Sequence, residues 1–530
     1  MHRTSEAISG DEPFTIYFSQ WKISELVPLL FKYNNIPPTF EFILHYWINL
    51  FGISESSIRL LPALCTALTA PAIYLITKDI KGTLAGILAS LLFILSPFQM
   101  EWAHLIRSYS LMILGGTWSM YFYLSYFQKA SNKKLAGWIL FSFIATAAHY
   151  LAWLVIFTQC ISFLFHPSFK AHLKKVSVAT FILLILNSPL LFFLIKRFIE
   201  TASEGTYIQA PESFAIFFTE LFKMIGNKNS IILLTILTAG LSSVFIIAKS
   251  GINRKWQALM GICSIVVIVF IPYFFLYEYD INFSFLHSSL FSYFYAILAF
   301  LLLLFFIKKL KISHQVLTLL LWMAVPLFIM YFASFKTPMF VDRYLSFISP
   351  SIPVLLSLAI FSLPNIVRFS IAAIAIALLI LNFSPNVTRY SHPNEIMAAF
   401  KEYKTKNNSA IWSPGYADII FTYHFDKNIF QNVDIHQQDT IGNKIVTDTG
   451  YTVHKEGLRR ELFKNGISIA NDSSQVNLDL EHTSQLIFVD AYSEYIYPNN
   501  GIRQKLEKHF GNPKQVQDLG GYHFIYLYEK

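Results

Sequence analysis

The sequence predicts a mainly α, polytopic membrane protein with a soluble α/β domain at its C-terminal end, and three observations carry that prediction. Of the 530 residues, 54% are hydrophobic, 17% aromatic and only 14% charged, too apolar for an ordinary soluble chain. Apolar stretches of about 17 to 25 residues, long enough to cross a hydrocarbon layer of roughly 30 Å as helices, recur along most of the chain. Beyond about residue 390 these stretches give way to shorter apolar runs interleaved with polar residues. The pattern divides the chain into an outward segment 1–56 with interfacial helices, a spanning region 57–384 and a soluble extracytoplasmic domain 385–530.

About twelve windows meet the length requirement. They lie near 57–78, 82–98, 107–128, 134–149, 150–167, 175–195, 229–249, 256–277, 286–307, 315–333, 346–363 and 366–384. The formal charge is +9, which taken alone could suggest a nucleic-acid partner. Its distribution argues otherwise. Alternate connections carry nearly all the excess, as in Lys129, Lys133 and Lys134 or Lys308, Lys309 and Lys311, with Asp79 as their one acid. On the other side acids slightly outnumber bases. By the positive-inside rule the basic set is cytoplasmic, and the C-terminal domain faces outward on the cytoplasmic (inner) membrane. Cys65, Cys160 and Cys263 all fall inside predicted spans, which predicts small apolar packing and no disulfide framework.

The first chemically notable stretch is Ser-Gly-Asp-Glu-Pro-Phe, Ser9 to Phe14. A carboxylate held near the headgroups could take a proton from an acceptor that meets a lipid-linked donor, so Asp11 and Glu12 are the candidate catalytic pair. A solvated acidic pair is the competing reading. An outward Asp11 with no apolar run between Met1 and Gly10 predicts a leading transmembrane helix encoded upstream of Met1. Residues 15–33 have an amphipathic pattern (Ile16, Tyr17, Trp21, Ile23, Leu26), as expected of a helix in the interface plane. A second short helix, Phe40 to Phe51, leads to the first span, with Arg59 near its outer end.

The second outward connection reads Ser-Pro-Phe-Gln-Met-Glu-Trp-Ala-His-Leu-Ile-Arg-Ser-Tyr, Ser96 to Tyr109. It places Glu101, His104 and Arg107 together. Arginine suits phosphate because its planar fork forms paired hydrogen bonds and keeps its charge; an anchor that snorkels to the headgroups is the alternative. The largest outward loop begins at Lys196 and Arg197, which depart from the charge bias and are candidates for an anionic ligand. Pro338 to Pro350 carries Asp342, Arg343 and Tyr344 at the outer end of a span that Pro350 and Pro353 should interrupt. In the soluble domain, helical patterns at Asn394 to Lys404, Leu458 to Asn465 and Ile502 to Phe510 alternate with strand-like runs at Ser409 to Trp412, Gln485 to Val489 and Tyr522 to Leu527. That domain carries no phosphate loop or nucleophile motif, which points to acceptor recognition or support.

Taken together, Asp-Glu ahead of the first outward loop, Phe-Glu-Phe-Ile-Leu-His-Tyr-Trp-Ile-Asn-Leu-Phe-Gly-Ile-Ser-Glu-Ser-Ser-Ile-Arg-Leu-Leu-Pro, Ser-Pro-Phe followed by Arg-Ser-Tyr-Ser-Leu, and Asp-Arg-Tyr-Leu-Ser-Phe-Ile-Ser-Pro resemble the GT-C-fold glycosyltransferases. The likeness is to the bacterial branch related to dolichyl-phosphate-mannose protein mannosyltransferases and the lipid A aminoarabinose transferase, over roughly residues 9 to 384. The chain departs from that group at Ile36, where the group often has His before Pro-Pro, and at Leu105, where it often has Glu. The resemblance implies transfer of a sugar from a polyprenyl-phosphate carrier to an acceptor on the outer face, with the acid matching Asp11 at the catalytic centre.

Such a reaction needs one base and a basic cluster, since a phosphate leaving group needs its charge neutralised more than it needs a proton. Asp11 is expected as base, with Glu12 beside it or as a metal ligand. Arg107, Arg343, Tyr344, Lys196 and Arg197 are expected at the donor phosphate, with Glu101, His104, Asp342 and Arg59 in support. A divalent metal stays open. The expected partners are membrane lipids, the polyprenyl-phosphate-linked sugar and a glycan, lipid or protein acceptor. A transporter or flippase is the rival class, but such proteins place charges near the bilayer midplane, commonly between repeats, and here the charges sit at outer helix ends. A degenerate relative that only binds lipid-linked sugar is a third reading.

Overall fold

The computed structural model describes residues 11–26, 36–192, 194–195, 199, 210–211, 215–226, 229–249, 312–383, 393–405, 408–433, 440–441, 444–445, 450–476, 483–491, 493–520 and 522–530. The chain forms two compact units. One comprises Asn35–Phe40 and Ser56–Pro385, the other Met1–Asn34, Glu41–Glu55 and Asn386–Lys530.

The first unit is built of helices, with no strand among its described residues. Its helices are Glu55–Lys81, Thr83–Ile94, Pro97–His104, Tyr109–Gln128, Asn132–Ala148, Trp153–Leu164, Phe169–Leu186, Ala215–Ile225, Asn229–Lys249, His314–Ala333, Asp342–Leu345, Ser351–Ile360 and Asn365–Leu381. Among the described residues, Glu55–Lys81, Ser230–Ile247 and His314–Ala333 are long and apolar enough to cross a membrane. Two further pairs pass the same test as bent units, Thr83–Ile94 with Pro97–His104 at 60° and Asp342–Ile348 with Ser351–Ile360 at 52°. Both bends fall where proline denies the ladder an N–H, at Pro97 and at Pro350. The interruption expected at Pro350 is therefore present. The windows expected near 256–277 and 286–307 lie outside the described residues.

Small residues set the closest approach in this unit. A Cβ on Gly115 would lie 2.6 Å from the backbone nitrogen of Ala145, and one on Gly137 would lie 2.7 Å from the Phe122 ring. Helices Tyr109–Gln128 and Asn132–Ala148 can therefore pack backbone to backbone, as spans rich in small residues do. A polar network sits in the same layer. Gln159 Nε2 donates to Ser119 Oγ at 2.9 Å, Trp138 Nε1 to Gln159 Oε1 at 2.7 Å, and Tyr123 Oη to the Gln159 carbonyl at 2.9 Å. Buried amides and hydroxyls are thus paired with one another, which removes the cost of leaving them unmet away from water.

The second unit is built on a five-stranded sheet. The strands of this domain are β1 (Ser409–Ser413), β2 (Thr440–Ile441), β3 (Lys444–Ile445), β4 (Ile467–Ile469), β5 (Gln485–Ala491), β6 (Gln515–Asp518) and β7 (His523–Glu529), with β2 and β3 forming a separate hairpin. The sheet order is β4-β1-β5-β7-β6, with β1 parallel to β4 and β5, and β7 antiparallel to β5 and β6. The strand runs expected at Ser409, Gln485 and Tyr522 correspond to β1, β5 and β7. The three expected helices correspond to Pro393–Tyr403, the end of Gly450–Lys464, and Ile502–Phe510.

One face of this sheet is covered by an element from the other end of the chain. Tyr17, Phe18, Trp21 and Leu26 are buried in the same core as Met397, Phe400, Trp412, Phe421 and Phe430. The Tyr17 and Phe430 ring centroids are 4.7 Å apart. An amphipathic stripe states only that an apolar partner is needed. The stretch expected to lie in the interface plane uses that stripe, through residue 26, to complete the core of the soluble domain.

Candidate functional site

The two units carry opposite parts of the predicted chemistry. In the unit of the soluble domain, Asp11 is the residue ahead of helix Glu12–Ser19, which Pro13 opens from its first turn. Proline is favoured there because the N–H it lacks would have no helical partner. Asp11 is exposed and Glu12 fully buried at 0%, so neighbouring carboxylates differ completely in access to solvent. Two acids in succession meet different surroundings because a helix turns by about 100° per residue. Helix Glu12–Ser19 is tied down at its far end, where His45 Nδ1 donates to the Ser19 carbonyl at 2.9 Å.

In the membrane unit, helix Pro97–His104 carries Glu101 and His104, both half-buried. Arg59 is buried and donates from Nη1 to the His104 carbonyl at 2.8 Å. A cation at the carboxyl end of a helix meets the negative pole of the backbone dipoles, so Arg59 anchors this short helix. His104 Nδ1 donates to the Met100 carbonyl at 2.8 Å, which holds the imidazole against its own helix. The backbone then turns extended at Leu105, and Arg107 follows before the next helix begins at Tyr109.

An aromatic series runs from this connection to the Asp342–Arg343–Tyr344 segment. Trp102 and Tyr109 lie 5.1 Å apart by ring centroid, Tyr109 and His149 5.7 Å, and His149 and Tyr344 5.8 Å. The Arg343 guanidinium lies 5.2 Å above the Tyr344 ring, within the range where cation and ring quadrupole attract. Asp342 Oδ1 accepts the Arg343 N–H at 2.7 Å. Ser346 Oγ donates to the Arg343 carbonyl at 2.9 Å, and Gln99 Nε2 donates to Ser349 Oγ at 2.6 Å, joining the two bent helix pairs. Arg107 is near enough for its charge to act on His149.

Sequence reasoning missed three members of this cluster. Glu220 and Lys223 stand one turn apart on helix Ala215–Ile225, with Lys223 Nζ 2.7 Å from Glu220 Oε1. Burial pushes the Glu220 carboxyl up from its ordinary value, the Lys223 hydrogen bond opposes that, and the Asp342 charge adds to it. Burial alone would lower Lys223, but the hydrogen bond and charge of Glu220, with Asp342 and Glu101, hold it above the ordinary lysine value. Glu101, Glu220, Lys223 and Asp342 therefore form one electrostatic group. Nothing marked this helix in the sequence except its place in the largest outward loop. The Phe217 ring stacks on Phe340 at 6.0 Å, seating the helix beside the Asp342 segment.

The third missed member is His149, buried at 4% exposure between helices Asn132–Ala148 and Trp153–Leu164. The Leu151 N–H donates to its Nδ1 at 3.2 Å. That bond assigns Nδ1 as acceptor, so the neutral ring carries its proton on Nε2. Nε2 has no hydrogen-bond partner among the described residues. A buried donor left so costs about 1–3 kcal/mol. A readable signal did exist: His149 falls at an outward span end in the same charge map that picked out Arg107 and Arg343.

The structure thus brings Glu101 and Asp342 within electrostatic reach of Lys223, Tyr344 against His149 and Arg343 over Tyr344. It assigns Asp11 and Glu12 to the other unit. Lys196 and Arg197 lie outside the described residues. Among the described residues, no group of three His, Cys, Asp or Glu is arranged to hold a metal ion, and no step is derived through one.

A small apolar cavity of about 40 Å³ is lined by Leu92, Phe93, Ile231, Leu356 and Leu379, with Gln99 and Ser349 among its few polar groups. Met224 and Ile225, which directly follow Lys223, also line it. Such a lining suits a small apolar group.

Residues 35–193 match the family model for dolichyl-phosphate-mannose-protein mannosyltransferase, in agreement with the resemblance drawn from the motifs. No curated protein matches the chain in sequence. Among solved structures, ArnT from Cupriavidus metallidurans in the apo state aligns over 98% of this chain and 94% of its own, at 13% identity and a TM-score of 0.44. The same protein bound to undecaprenyl phosphate aligns over 99% and 94%, at 12% identity and a TM-score of 0.42. The Archaeoglobus fulgidus oligosaccharyltransferase in complex with Zn and sulfate aligns over 99% and 70%, at 11% identity and a TM-score of 0.46.

Proposed function

We propose that this protein is a glycosyltransferase of the cytoplasmic membrane, with about twelve spans, which moves a sugar from a polyprenyl-phosphate carrier to a glycan, lipid or protein acceptor on the outer face. The observation that carries the reading is the set of Arg107, Arg343 and Tyr344 at helix ends, on segments that continue into the lining of an apolar cavity through Gln99 and Ser349. The matched family segment includes Arg59, Glu101, His104 and Arg107, and its description names a dolichyl-phosphate sugar as donor.

In this mechanism Asp11 takes the proton of the acceptor as the acceptor attacks the anomeric carbon, and the bond to the carrier phosphate oxygen breaks. Arg107 and Arg343 neutralise the charge that develops on the departing phosphate, worth most where water is excluded. Lys196 and Arg197 are further cations for the same anion, and Glu12 supports Asp11. Displacement in one step inverts the anomeric centre, as in single-displacement glycoside hydrolysis with the acceptor in the place of water. The apolar lining around Leu92, Phe93 and Leu356 meets the start of the prenyl chain.

The test is transfer of radiolabelled sugar from polyprenyl-phosphate donors to a membrane extract by the purified protein, with Asp11→Ala as control. Label that depends on Asp11 is expected. Absence of transfer from every donor by folded protein would favour a transporter or a degenerate binding partner.

A further inference from the structure

We propose that His149 is a binding group for the carrier phosphate, its Nε2–H donating to an oxygen of a phosphate that Arg107 and Arg343 also neutralise. The inference rests on the glycosyltransferase reading for the identity of the lipid, but its geometry stands apart from it. A buried histidine that serves packing alone ordinarily satisfies both ring nitrogens. Here Leu151 satisfies Nδ1, while Nε2 is buried with no partner among the described residues. The ring lies against two aromatic neighbours, Tyr109 at 5.7 Å and Tyr344 at 5.8 Å by ring centroid. A donor so held is aligned before any ligand arrives.

The surroundings select the ligand. Arg107 lies within electrostatic reach of the ring, and Arg343 lies over Tyr344, the next ring in the series. Two cations near one N–H donor call for an anion with several acceptor oxygens, and a phosphate monoester or diester supplies them. A neutral imidazole adds a hydrogen bond without adding a third positive charge to a poorly hydrated site. It is not suited to act as base, because its one lone pair is committed to the Leu151 N–H and its other nitrogen already bears a proton.

The full chain in detergent micelles tests this with polyprenyl monophosphate, inorganic phosphate and phosphatidylglycerol as probes. His149→Ala should weaken polyprenyl monophosphate binding by about ten- to a hundredfold, the range for a hydrogen bond to a charged group. His149→Gln, whose amide N–H reaches toward the Nε2 position, should recover most of that loss; His149→Asn, whose amide falls near Nδ1, should not. In transfer assays the loss should appear in KM for the donor, with kcat changed little. An unchanged Kd in His149→Ala, or equal losses in all three variants, overturns the proposal.

A measurement on the unaltered protein guards against misfolded variants. The Nε2–H resonance of 15N-labelled His149 should shift on adding polyprenyl monophosphate, and no shift overturns the proposal. Inorganic phosphate or phosphatidylglycerol binding as tightly as the carrier would overturn the carrier as the ligand. Binding that depends on His149 in a protein that transfers no sugar would refute the glycosyltransferase reading while upholding His149. Transfer with a His149-independent Kd would do the reverse.

Discussion

The membrane unit and the soluble unit handle buried polarity in different ways. In the membrane unit hydroxyls bond back to carbonyls one turn earlier, as Thr69, Thr77 and Thr117 do, and side-chain amides bond across helices through Gln159. In the soluble unit short acids bond to nearby backbone N–H groups, Asp418 to Ile419 and Asp490 to Ser493. The first pattern satisfies groups inside helices of the membrane unit, where water is scarce; the second shapes the start of helix Asp418–Asp426 and the turn after β5. What remains unmatched in the membrane unit includes His149 Nε2 and Glu220 Oε2, both within the charged cluster. The difference points to the charged helix ends of the membrane unit as a place where a ligand could meet buried polar atoms, although Thr238 Oγ1 and Trp322 Nε1 are likewise without a hydrogen-bond partner among the described residues.

The same comparison separates two kinds of catalytic defect. The soluble unit holds the proposed base, and the membrane unit holds the proposed phosphate cations. Asp11→Asn should therefore lower kcat by about 10²–10⁴-fold, the usual worth of general base catalysis, with carrier affinity unchanged. Arg343→Ala should act chiefly on carrier affinity. Steady-state kinetics combined with carrier binding distinguishes the two. A matching loss of affinity in Asp11→Asn would end the division of labour.

Much of the fold could be read in advance because it depends on length and pattern. The windows at 57–78 and 315–333 correspond to Glu55–Lys81 and His314–Ala333, since apolar length alone decides whether a helix can span. Arg107 and Arg343 could be singled out because charges at span ends stand out against apolar flanks. Three features could not be read. Tyr17, Phe18 and Trp21 declared an apolar face but not whether lipid or protein covers it. Glu220 and Lys223 belong to a helix without a motif, and their meeting with Glu101 and Asp342 is tertiary. The opposite burial of Asp11 and Glu12 depends on the rotational phase of one short helix.

The next effect in size concerns the aromatic anchor of that helix. Tyr17 is 1% exposed within the soluble core, and its hydroxyl has no hydrogen-bond partner among the described residues. Tyr17→Ala should destabilise the soluble unit by about 3–5 kcal/mol, the range for removing a large buried ring. Tyr17→Phe keeps the contact with Phe430 and removes an unmatched polar atom, so its stability should equal or exceed that of the native protein. Chemical denaturation followed by proteolysis of the soluble unit measures both. Equal losses in the two variants would mean that the hydroxyl, not the ring, holds the segment.

A smaller effect tests the membrane unit by its own rule. Gly115→Ala places a methyl where the Ala145 backbone nitrogen would be 2.6 Å away, so helices Tyr109–Gln128 and Asn132–Ala148 must separate. A cost of about 1–3 kcal/mol is expected for such overpacking, read as a lower unfolding temperature in detergent. Gly116→Ala one residue on, where the nearest side-chain atom is 3.6 Å away, should cost less. Equal effects would show that helix propensity, not contact, decides.

The smallest predicted effect is a pH dependence in the soluble unit. Asp490 is buried at the end of β5, and burial raises its pKa above the ordinary aspartate value of 3.8 despite the opposing Ser493 hydrogen bonds. A carboxyl whose folded pKa is raised binds its proton more tightly when folded, so its stabilising effect is complete below the unfolded pKa and is lost as pH rises through the folded one. Asp490→Asn keeps an oxygen that can accept the Ser493 N–H at the position of Oδ1 but carries no charge to bury. It should therefore raise the unfolding midpoint at neutral pH, and the gain should shrink as pH falls toward 3.8. A variant that is less stable at neutral pH would mean that the charged form is favoured in the fold, which would make the end of β5 an electrostatic partner of its neighbours and not merely a buried cap.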